Sequence, residues 1–299
     1  MTAAIRSAID WGELAPLRLR ASLVADGVYA GGHRSARRGA GVEFGGHRPY
    51  TPGDDLRWLD RRSLLRHDHL LVRQFETETD RALSIAIDAT ASMGYRGSRS
   101  PAAKYAWAAL IAAALARVAI AQGDSVAVTF FGGSQTVHNV PRGGGREQFE
   151  RIVSALEAAD PFGDADAQSN IVEDAVANVD RTSRRGSVVV VLSDLLDLPA
   201  TATAAIAELA LRRRALVVMQ TLDEDELTLP FDGPTRMRSM EGQSVVETDT
   251  TETRSAYLQQ LEQHNASWSE AIRKRGGKYL RATTSDDAVR AVRSILDNV

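Results

Sequence analysis

Residues 83–92 have the sequence LSIAIDATAS, and no other stretch of the chain gives as much information about its architecture. A mostly apolar run from Leu83 ends at Asp88, which is the pattern of a strand buried on both faces of a sheet. Side chains with oxygen atoms follow at every second position, at Asp88, Thr90 and Ser92. In α/β proteins, ligands bind beyond the carboxyl ends of buried parallel strands. The stretch therefore predicts both a strand and a candidate binding loop.

The sequence on the carboxyl side of this stretch alternates between strand and helix patterns. Strands are predicted at 125–131, 188–192, 215–222 and 278–282, with an antiparallel neighbour at 135–140, and helices at 102–122, 146–159, 170–182, 200–214, 253–275 and 286–298. This order predicts an α/β fold with a doubly wound, mostly parallel sheet and helices on both faces, as in Rossmann-like domains.

The first 80 residues differ from the rest in composition and pattern. They contain a Gly- and Arg-rich stretch at 27–46 with turn signals throughout, a helix pattern at 10–23 and a strand pattern at 70–77. We therefore divide the chain into a smaller, irregular, β-containing N-terminal segment, residues 1–80, and an α/β domain, residues 81–299.

The net charge of −3 hides an asymmetry between the two parts of the chain. Residues 1–75 have twelve Arg and no Lys against eight acidic residues, which gives +4, and the remaining residues give −7. The arginines are interspersed with Asp and Gly and have no zinc-ligand or aromatic pattern beside them. We therefore expect a solvated or internally paired surface and no nucleic-acid partner. Lysine occurs only at positions 104, 274 and 278, from which we infer nothing about mechanism.

Composition argues against several other classes of protein. The chain has no cysteine, which excludes disulfides and thiolate chemistry and fits a reducing compartment. The N-terminus has no signal-peptide pattern. The longest apolar stretch, 105–121, is mostly Ala, is interrupted by Arg117 and falls short of the roughly 20 apolar residues of a membrane span. We expect a buried helix there, no membrane span, and a cytoplasmic protein.

Three of the predicted junctions between strands and helices have hydroxyl or carboxylate side chains. These are Asp88, Thr90 and Ser92 after the first strand of the domain, Ser169 directly before a helix, and Asp194 after a later strand. One carboxylate and two hydroxyls on a single loop suit a hard cation such as Mg²⁺, which keeps several of its waters. The three junctions together therefore predict a divalent metal site.

Each of these residues also has a purely structural interpretation. A single Asp-x-Thr-x-Ser sequence occurs by chance in many loops, Ser169 alone could be a helix N-cap, and Asp194 alone could be a solvated turn residue. Their joint placement at three junctions, in one order along the chain, favours a common site over these separate roles.

In order and rough spacing, the five residues resemble the metal-ion-dependent adhesion site of von Willebrand factor A domains. That site has Asp-x-Ser-x-Ser after the first strand, a Thr before a later helix and an Asp after the fourth strand. Thr90 and Ser169 depart from the commonest residues, but each keeps a hydroxyl. The resemblance implies a von Willebrand A-like fold and an Mg²⁺ or Mn²⁺ ion held by Asp88, Thr90, Ser92, Ser169 and Asp194. It also implies an open coordination position that an Asp or Glu of a partner protein fills.

The N-terminal segment resembles a more specific family. Residues 48–60 read RPYTPGDDLRWLD and match the signature R-x-Y-x-P-G-D-D-x-R-x-x-D of the domain-of-unknown-function family fifty-eight, DUF58. Arg61 departs from the family, which usually has Trp there. Members are commonly encoded beside MoxR-type AAA+ ATPases, so the resemblance implies that this chain acts with such an ATPase or its client protein in chaperone-like assembly. The charges of the signature could pin the segment onto the α/β domain or bind a partner.

These observations favour a non-enzymatic protein-interaction module that uses a divalent metal ion to bind an acidic residue of its partner. Two alternatives stay open. One is a structural scaffold that binds no metal, and the other is a hydrolase in which the metal activates water and one of the six histidines is the base. The sequence has no P-loop or nucleophile-elbow pattern that would favour an enzyme.

Overall fold

The computed structural model describes residues 10–30, 43–51, 70–76, 82–134, 139–163, 170–240 and 245–299. The chain divides into two units, one composed of residues 1–31 and 82–299 and the other of residues 32–81. The first helix of the chain thus belongs to the same unit as the central sheet.

The smaller unit contains a two-stranded antiparallel sheet. Strand β1 (Glu43–Pro49) pairs with strand β2 (Leu71–Glu76), and the register shifts between Phe44 and Gly46. A glycine at such a shift is typical of a β-bulge, because it tolerates the local bend. Strand β2 agrees with the predicted strand, whereas β1 begins inside the Gly-rich stretch for which we predicted turns. Residues 52–60 of the signature lie outside the described residues.

The larger unit is built on a six-stranded sheet. Its strands are β3 (Ala82–Ala89), β4 (Ser125–Gly132), β5 (Val140–Gly143), β6 (Val188–Ser193), β7 (Ala215–Leu222) and β10 (Lys278–Thr283), and a separate hairpin consists of β8 (Pro234–Arg238) and β9 (Val245–Asp249). The order across the sheet is β5-β4-β3-β6-β7-β10, and every neighbouring pair is parallel except β4 and β5. The predicted α/β, doubly wound, mostly parallel fold is confirmed. The antiparallel edge strand begins at Val140, where the predicted one ended, and positions 135–138 lie outside the described residues.

The order of the strands reverses at β3. The chain runs from β3 through β4 to β5 on one side, and the later strands β6, β7 and β10 lie on the other side. In open parallel sheets, ligands bind at this reversal, beyond the carboxyl ends of the strands. The ends of β3 and β6 are therefore the place in this fold where a binding site is expected.

The described residues form eight α-helices. They are α1 (Leu17–Ala30), α2 (Lys104–Ala121), α3 (Gly145–Ala158), α4 (Ile171–Thr182), α5 (Ala202–Glu208), α6 (Glu224–Thr228), α7 (Thr250–Lys274) and α8 (Ala288–Leu296). Helix α1 begins at Leu17 rather than at residue 10. Helix α5 ends at Glu208 rather than at residue 214, and the segment after it contains Arg212 and Arg213 with φ angles of 62° and 58°, which a right-handed helix cannot contain.

Alternate residues of the central strands point to opposite faces of the sheet, and helices cover both faces. In β6, Val190 and Leu192 belong to the core on the side of α1, α2, α3 and α8. Val189 and Val191 belong to the core on the side of α4, α5 and α7. Strand β3 is buried along its whole length, as its apolar run predicts. The strands that lead to the candidate site are thus shielded from water on both faces.

Helix α2 is buried almost completely. Fifteen of its 18 residues are buried, eight of them Ala, and small side chains allow a helix to pack close to a sheet. Among the described residues, α2 is the one helix whose length and hydropathy would allow it to span a membrane, and 83% of it is buried inside the structure. It lies in the centre of the core, as predicted for the apolar stretch at 105–121.

Candidate functional site

The structure brings four of the five predicted residues to the carboxyl ends of two neighbouring strands. Asp88 lies near the end of β3, Thr90 and Ser92 follow it, and Asp194 directly follows β6. The two strands are parallel neighbours in the centre of the sheet, so their carboxyl ends lie side by side. The fifth residue, Ser169, lies outside the described residues.

Hydrogen bonds between residues of the Asp88 loop stabilise its conformation. Thr90 donates to Oδ1 of Asp88 through its backbone N–H, at 2.9 Å, and through its hydroxyl, at 2.7 Å. The hydroxyl oxygens of Thr90 and Ser92 lie 3.0 Å apart. All three side chains are buried, and Asp88 has no exposed surface. Threonine at position 90 thus places a hydroxyl against the carboxylate, as a serine would.

Ser193 is a member of the site that the sequence pattern did not indicate. Its hydroxyl donates to Oδ2 of Asp88 at 2.5 Å and accepts from the N–H of Leu195 at 2.9 Å. Ser193 ends β6, and it reaches Asp88 because β6 and β3 are paired in register. The serine before Asp194 was visible in the sequence, but the strand pairing that gives it this contact was not.

Lys104 is a second missed member. Its Nζ lies 2.7 Å from Oδ2 of Asp194 and 2.6 Å from Oε1 of Glu226, and its side chain has no exposed surface. Lys104 is the first residue of α2, and Glu226 lies in α6. A lysine at the start of a mostly apolar helix is the sequence feature that could have indicated this contact, because a buried ammonium group needs a carboxylate partner.

Asp88 is difficult to ionise in this environment. Burial raises its pKa to about 7, and the neighbouring carboxylate of Asp194 contributes to the increase. Hydrogen bonds from Ser193 and Thr90 act in the opposite direction but do not cancel it. A negative charge on Asp88 is therefore not balanced by the protein groups around it.

The charge of Lys104, in contrast, is balanced. Burial by itself lowers the pKa of this ammonium group, but Asp194 and Glu226 outweigh burial and the pKa is raised. Burial also raises the pKa of Glu226, against the effect of Lys104. The distances of 2.7 and 2.6 Å support the charged pair, because hydrogen bonds between ionised groups are short.

The loop after β6 is held in a strained conformation. Leu195 and Asp197 have φ angles of 59° and 51°, in the left-handed region that residues other than Gly disfavour. The carbonyl of Asp194 accepts from Nε2 of Gln220 at 2.9 Å, and the carbonyl of Leu195 lies 2.8 Å from Nε2 of His264. These contacts from β7 and α7 hold the backbone that presents the Asp194 carboxylate. His264 is the one histidine whose side chain falls within the described residues.

Asp223 fixes the loop before α2. Its Oδ2 accepts from the N–H of Gly97 at 2.9 Å and from the hydroxyl of Ser100 at 2.5 Å. Asp223 is also the N-cap of α6, in a capping box with Glu226. Glu226 thus accepts from Lys104 with one oxygen and from the backbone N–H of Asp223, at 2.8 Å, with the other. The first turn of α6 therefore connects the ammonium group to the loop before α2.

Exposed apolar side chains lie beside the Asp88 loop. Phe162 is 63% exposed, and its backbone N–H donates to the carbonyl of Ala89 at 2.9 Å. Met240 is 51% exposed, and its methyl group would lie 3.7 Å from a Cβ atom on Gly94, in the 3₁₀ turn after Asp88. Aromatic and Met side chains are enriched in protein interfaces. We call Phe162 and Met240 the apolar rim of the site.

The spacing of three oxygen atoms in the Asp88 loop is compatible with a hard divalent cation. Thr90 Oγ1 lies 2.7 Å from Asp88 Oδ1 and 3.0 Å from Ser92 Oγ. Adjacent ligands of an octahedral Mg²⁺ ion, each about 2.1 Å from the metal, are separated by about 3 Å. The described residues contain no group of three or more His, Cys, Asp or Glu side chains that could hold a metal ion. A cation here would therefore depend on hydroxyl groups and water as well as on carboxylates.

Comparison with known proteins identifies relatives of the chain. It is 26% identical over 288 residues to "Uncharacterized protein Rv1480" of Mycobacterium tuberculosis, covering 95% of this chain and 89% of the relative. Among solved structures, BatB from Bacteroides thetaiotaomicron is similar with 19% identity and a TM-score of 0.48, covering 73% of this chain and 97% of that chain. An aerotolerance-related membrane protein from Bacteroides fragilis is similar with 18% identity and a TM-score of 0.49, covering 73% and 98%. These two structural likenesses are too distant to indicate a function.

A family model also matches the chain. Residues 46–267 match the family described as "Protein of unknown function DUF58". The matched region includes the whole signature at 48–60, together with both strands that lead to the candidate site. Because the match covers most of its length, the chain belongs to the DUF58 family.

Proposed function

We propose that the protein is a non-enzymatic interaction module that holds a divalent cation, Mg²⁺ or Mn²⁺, and uses it to bind an acidic residue of a partner. Asp88, Thr90, Ser92 and Asp194 would hold the ion, with Ser169 contributing from outside the described residues. The observation on which this proposal rests is the pair of fully buried carboxylates, Asp88 and Asp194, at the reversal of strand order.

Charge supports a cation at this position. The cluster contains three carboxylates, those of Asp88, Asp194 and Glu226. The ammonium group of Lys104 contacts two of them, Asp194 and Glu226. If all four groups are ionised, the cluster has a net charge of −2. Burying unbalanced charge is costly, and the raised pKa of Asp88 reflects that cost. A divalent ion would offset it.

Each protein group would have a defined task in such a module. The carboxylate of Asp88 and the hydroxyls of Thr90 and Ser92 would face the ion, while Ser193 keeps the second oxygen of Asp88 in place. When bound, the ion supplies a positive charge that attracts the carboxylate of a partner. The apolar rim would then contact the partner beside that carboxylate, since aromatic and Met side chains are enriched in protein interfaces.

We further propose that the partner is a MoxR-type AAA+ ATPase or its client protein. This part of the proposal follows from membership of the DUF58 family and from the family association stated above. The proposed partner defines the class of protein to use in a binding assay. The proposal that the site holds a metal ion does not depend on the identity of this partner.

A metal titration tests the proposed cation. Mg²⁺ or Mn²⁺ is expected to raise the melting temperature of the wild-type protein, because a ligand that binds only the folded state stabilises it. Asp88→Asn should abolish this response and also reduce retention of the purified ATPase in a pull-down without chelator. Asp232→Asn is the matched control, since Asp232 is 80% exposed in its side chain and should leave both results unchanged. Undiminished partner binding by Asp88→Asn would refute the proposal.

A metal-free scaffold is the second candidate, and the position of Lys104 favours it. The ammonium group already provides one positive charge against Asp194, at 2.7 Å. If the scaffold is correct, millimolar Mg²⁺ leaves the melting temperature unchanged, and a chelator does not affect retention of the partner.

A further inference from the structure

Lys104 lies where two physical effects disfavour a lysine. It is the first residue of α2, where the partial positive charge of the helix repels a cation. Its side chain is also completely buried, which removes the hydration of the ammonium group. A lysine stays in such a position because its partners compensate for both effects. Those partners are Asp194 and Glu226.

The contact with Lys104 occupies a proposed metal ligand. Asp194 accepts from the ammonium group with Oδ2, at 2.7 Å, and from the N–H of Leu196 with Oδ1, at 3.0 Å. Both oxygens of this carboxylate are thus engaged within the protein. A cation that takes an oxygen of Asp194 must therefore displace the ammonium group or share the carboxylate with it.

We propose that Lys104 is a tethered cation that competes with the divalent ion for Asp194 and so weakens the affinity of the site for metal. This inference rests on the proposed metal-binding function and defines how that site is regulated. Two positive charges at one buried carboxylate repel each other, so occupancy of Asp194 by one disfavours the other.

Glu226 gives the ammonium group a second position. Because α2 is buried nearly throughout, the ammonium group can leave Asp194 only by rotation of its own four-carbon side chain. Oε1 of Glu226, at 2.6 Å, stays within reach during such a movement. Glu226 also caps α6 together with Asp223, and Asp223 holds the loop before α2. A movement of Lys104 would therefore alter the contacts of that loop.

The decisive variant is the double substitution Lys104→Met with Glu226→Gln. It removes one positive and one negative charge, so the net charge of the cluster is unchanged while Asp194 is released from the ammonium group. We expect its Kd for Mn²⁺, measured by isothermal titration calorimetry on the full chain, to be lower than that of the wild type by about tenfold or more. The double substitution Lys274→Met with Glu270→Gln is the matched control, because this pair is 2.7 Å apart and exposed. It should bind Mn²⁺ as the wild type does.

The outcomes separate this inference from the proposed function. Tighter Mn²⁺ binding by the Lys104–Glu226 double variant supports the competition, even if the wild type binds no Mn²⁺ at the concentrations used. Equal or weaker binding by that variant, with a responsive wild type, overturns the competition and leaves the metal site standing. No binding by either protein overturns both. If the double variant does not fold, Lys104→Gln with Glu226→Gln, which also leaves the net charge unchanged and keeps a hydrogen-bond donor beside Asp194, is measured against the same expectation.

Discussion

Asp88 is expected to make the metal-free protein less stable as the pH rises from about 4 to about 7. Its pKa is raised from 3.8 to about 7 in the folded protein, so in this range the folded state binds a proton that the unfolded chain has released. Unfolding therefore releases a proton, and the free energy of unfolding falls with increasing pH. At about 1.4 kcal/mol per pH unit, the loss amounts to about 4 kcal/mol at most. Chemical denaturation in the presence of a chelator, repeated across this range, measures it.

Substitution of Asp88 isolates this effect. Asp88→Asn should remove the fall in stability, because an amide is neutral at every pH, and it should be at least as stable as the wild type near neutrality. Asp232→Asn, at an exposed position, should reproduce the wild-type profile. A wild-type protein whose stability does not decrease between these pH values would contradict the raised pKa.

Among the side-chain contacts within the site, only the local ones could be predicted from the sequence. Asp88 and Thr90 are two residues apart, and a loop pattern alone indicated that they act together. Ser193 contacts Asp88 across 105 residues of sequence through strand pairing, and Lys104 contacts Asp194 across 90 residues from the start of a helix. Those contacts depend on tertiary structure, which the pattern of a single sequence does not contain.

Strand β4 contributes to the site through a glycine. Gly132 has a φ angle of 76°, and a Cβ atom there would lie 2.6 Å from the backbone nitrogen of Thr90. Gly132→Ala is therefore expected to displace the Asp88 loop, to lower the free energy of unfolding by about 2 kcal/mol or more, and to weaken any metal response. Thermal denaturation with and without Mg²⁺ measures both effects.

Gly123 provides the control for this substitution. Its φ angle is 87°, but a Cβ atom there would meet nothing within 4 Å. Gly123→Ala thus adds only the backbone strain of a left-handed alanine, about 1 kcal/mol, and should leave the metal response intact. Equal losses in the two variants would show that the contact with Thr90 is unimportant.

The elements of the central sheet were predictable because burial on both faces produces continuous apolar runs. The pattern identified β3, β6 and β7 closely. The hairpin of β8 and β9 was missed, since most of its side chains are exposed and it has no apolar alternation. Helix α6 was also missed, because five residues with three acids give no helical periodicity. That omission concealed Glu226 and, with it, the role of Lys104.

At the level of the whole molecule, the strand order determines where the site lies, and the apolar rim determines what can approach it. Phe162→Ala is expected to weaken binding of the partner by roughly 1–3 kcal/mol while leaving the metal response unchanged, because the ring is exposed and the hydrogen bond from Phe162 to β3 is made by its backbone N–H. Surface plasmon resonance with immobilised ATPase measures the change. Phe231→Ala, at a second exposed phenylalanine, should bind as the wild type does. A partner that tolerates Phe162→Ala does not use this rim.

The fold as a whole followed from the sequence, since the alternation of strands and helices left few arrangements to consider. The location of the site at the carboxyl ends of the strands could also be predicted from the sequence, because ligands of such sheets bind at the reversal of strand order. Occupancy by a cation did not follow, because it depends on a balance between Asp88, Asp194 and Lys104 that only their spatial arrangement defines.

The burial of α2 affects how often the two helices that contribute to the site open to solvent. A helix surrounded by core on nearly every side exposes its amide protons to solvent exchange only when the whole unit unfolds, so α2 belongs to the slowest-exchanging part of the protein. Helix α6 is only five residues long, and we expect it to open locally more often than α2. The ion pair between Lys104 and Glu226 thus ties a short helix to the slowest-exchanging part of the protein. Loss of this ion pair, with the capping box and the bonds of Asp223 intact, is expected to speed amide exchange in the first turn of α6 while exchange in the sheet stays slow.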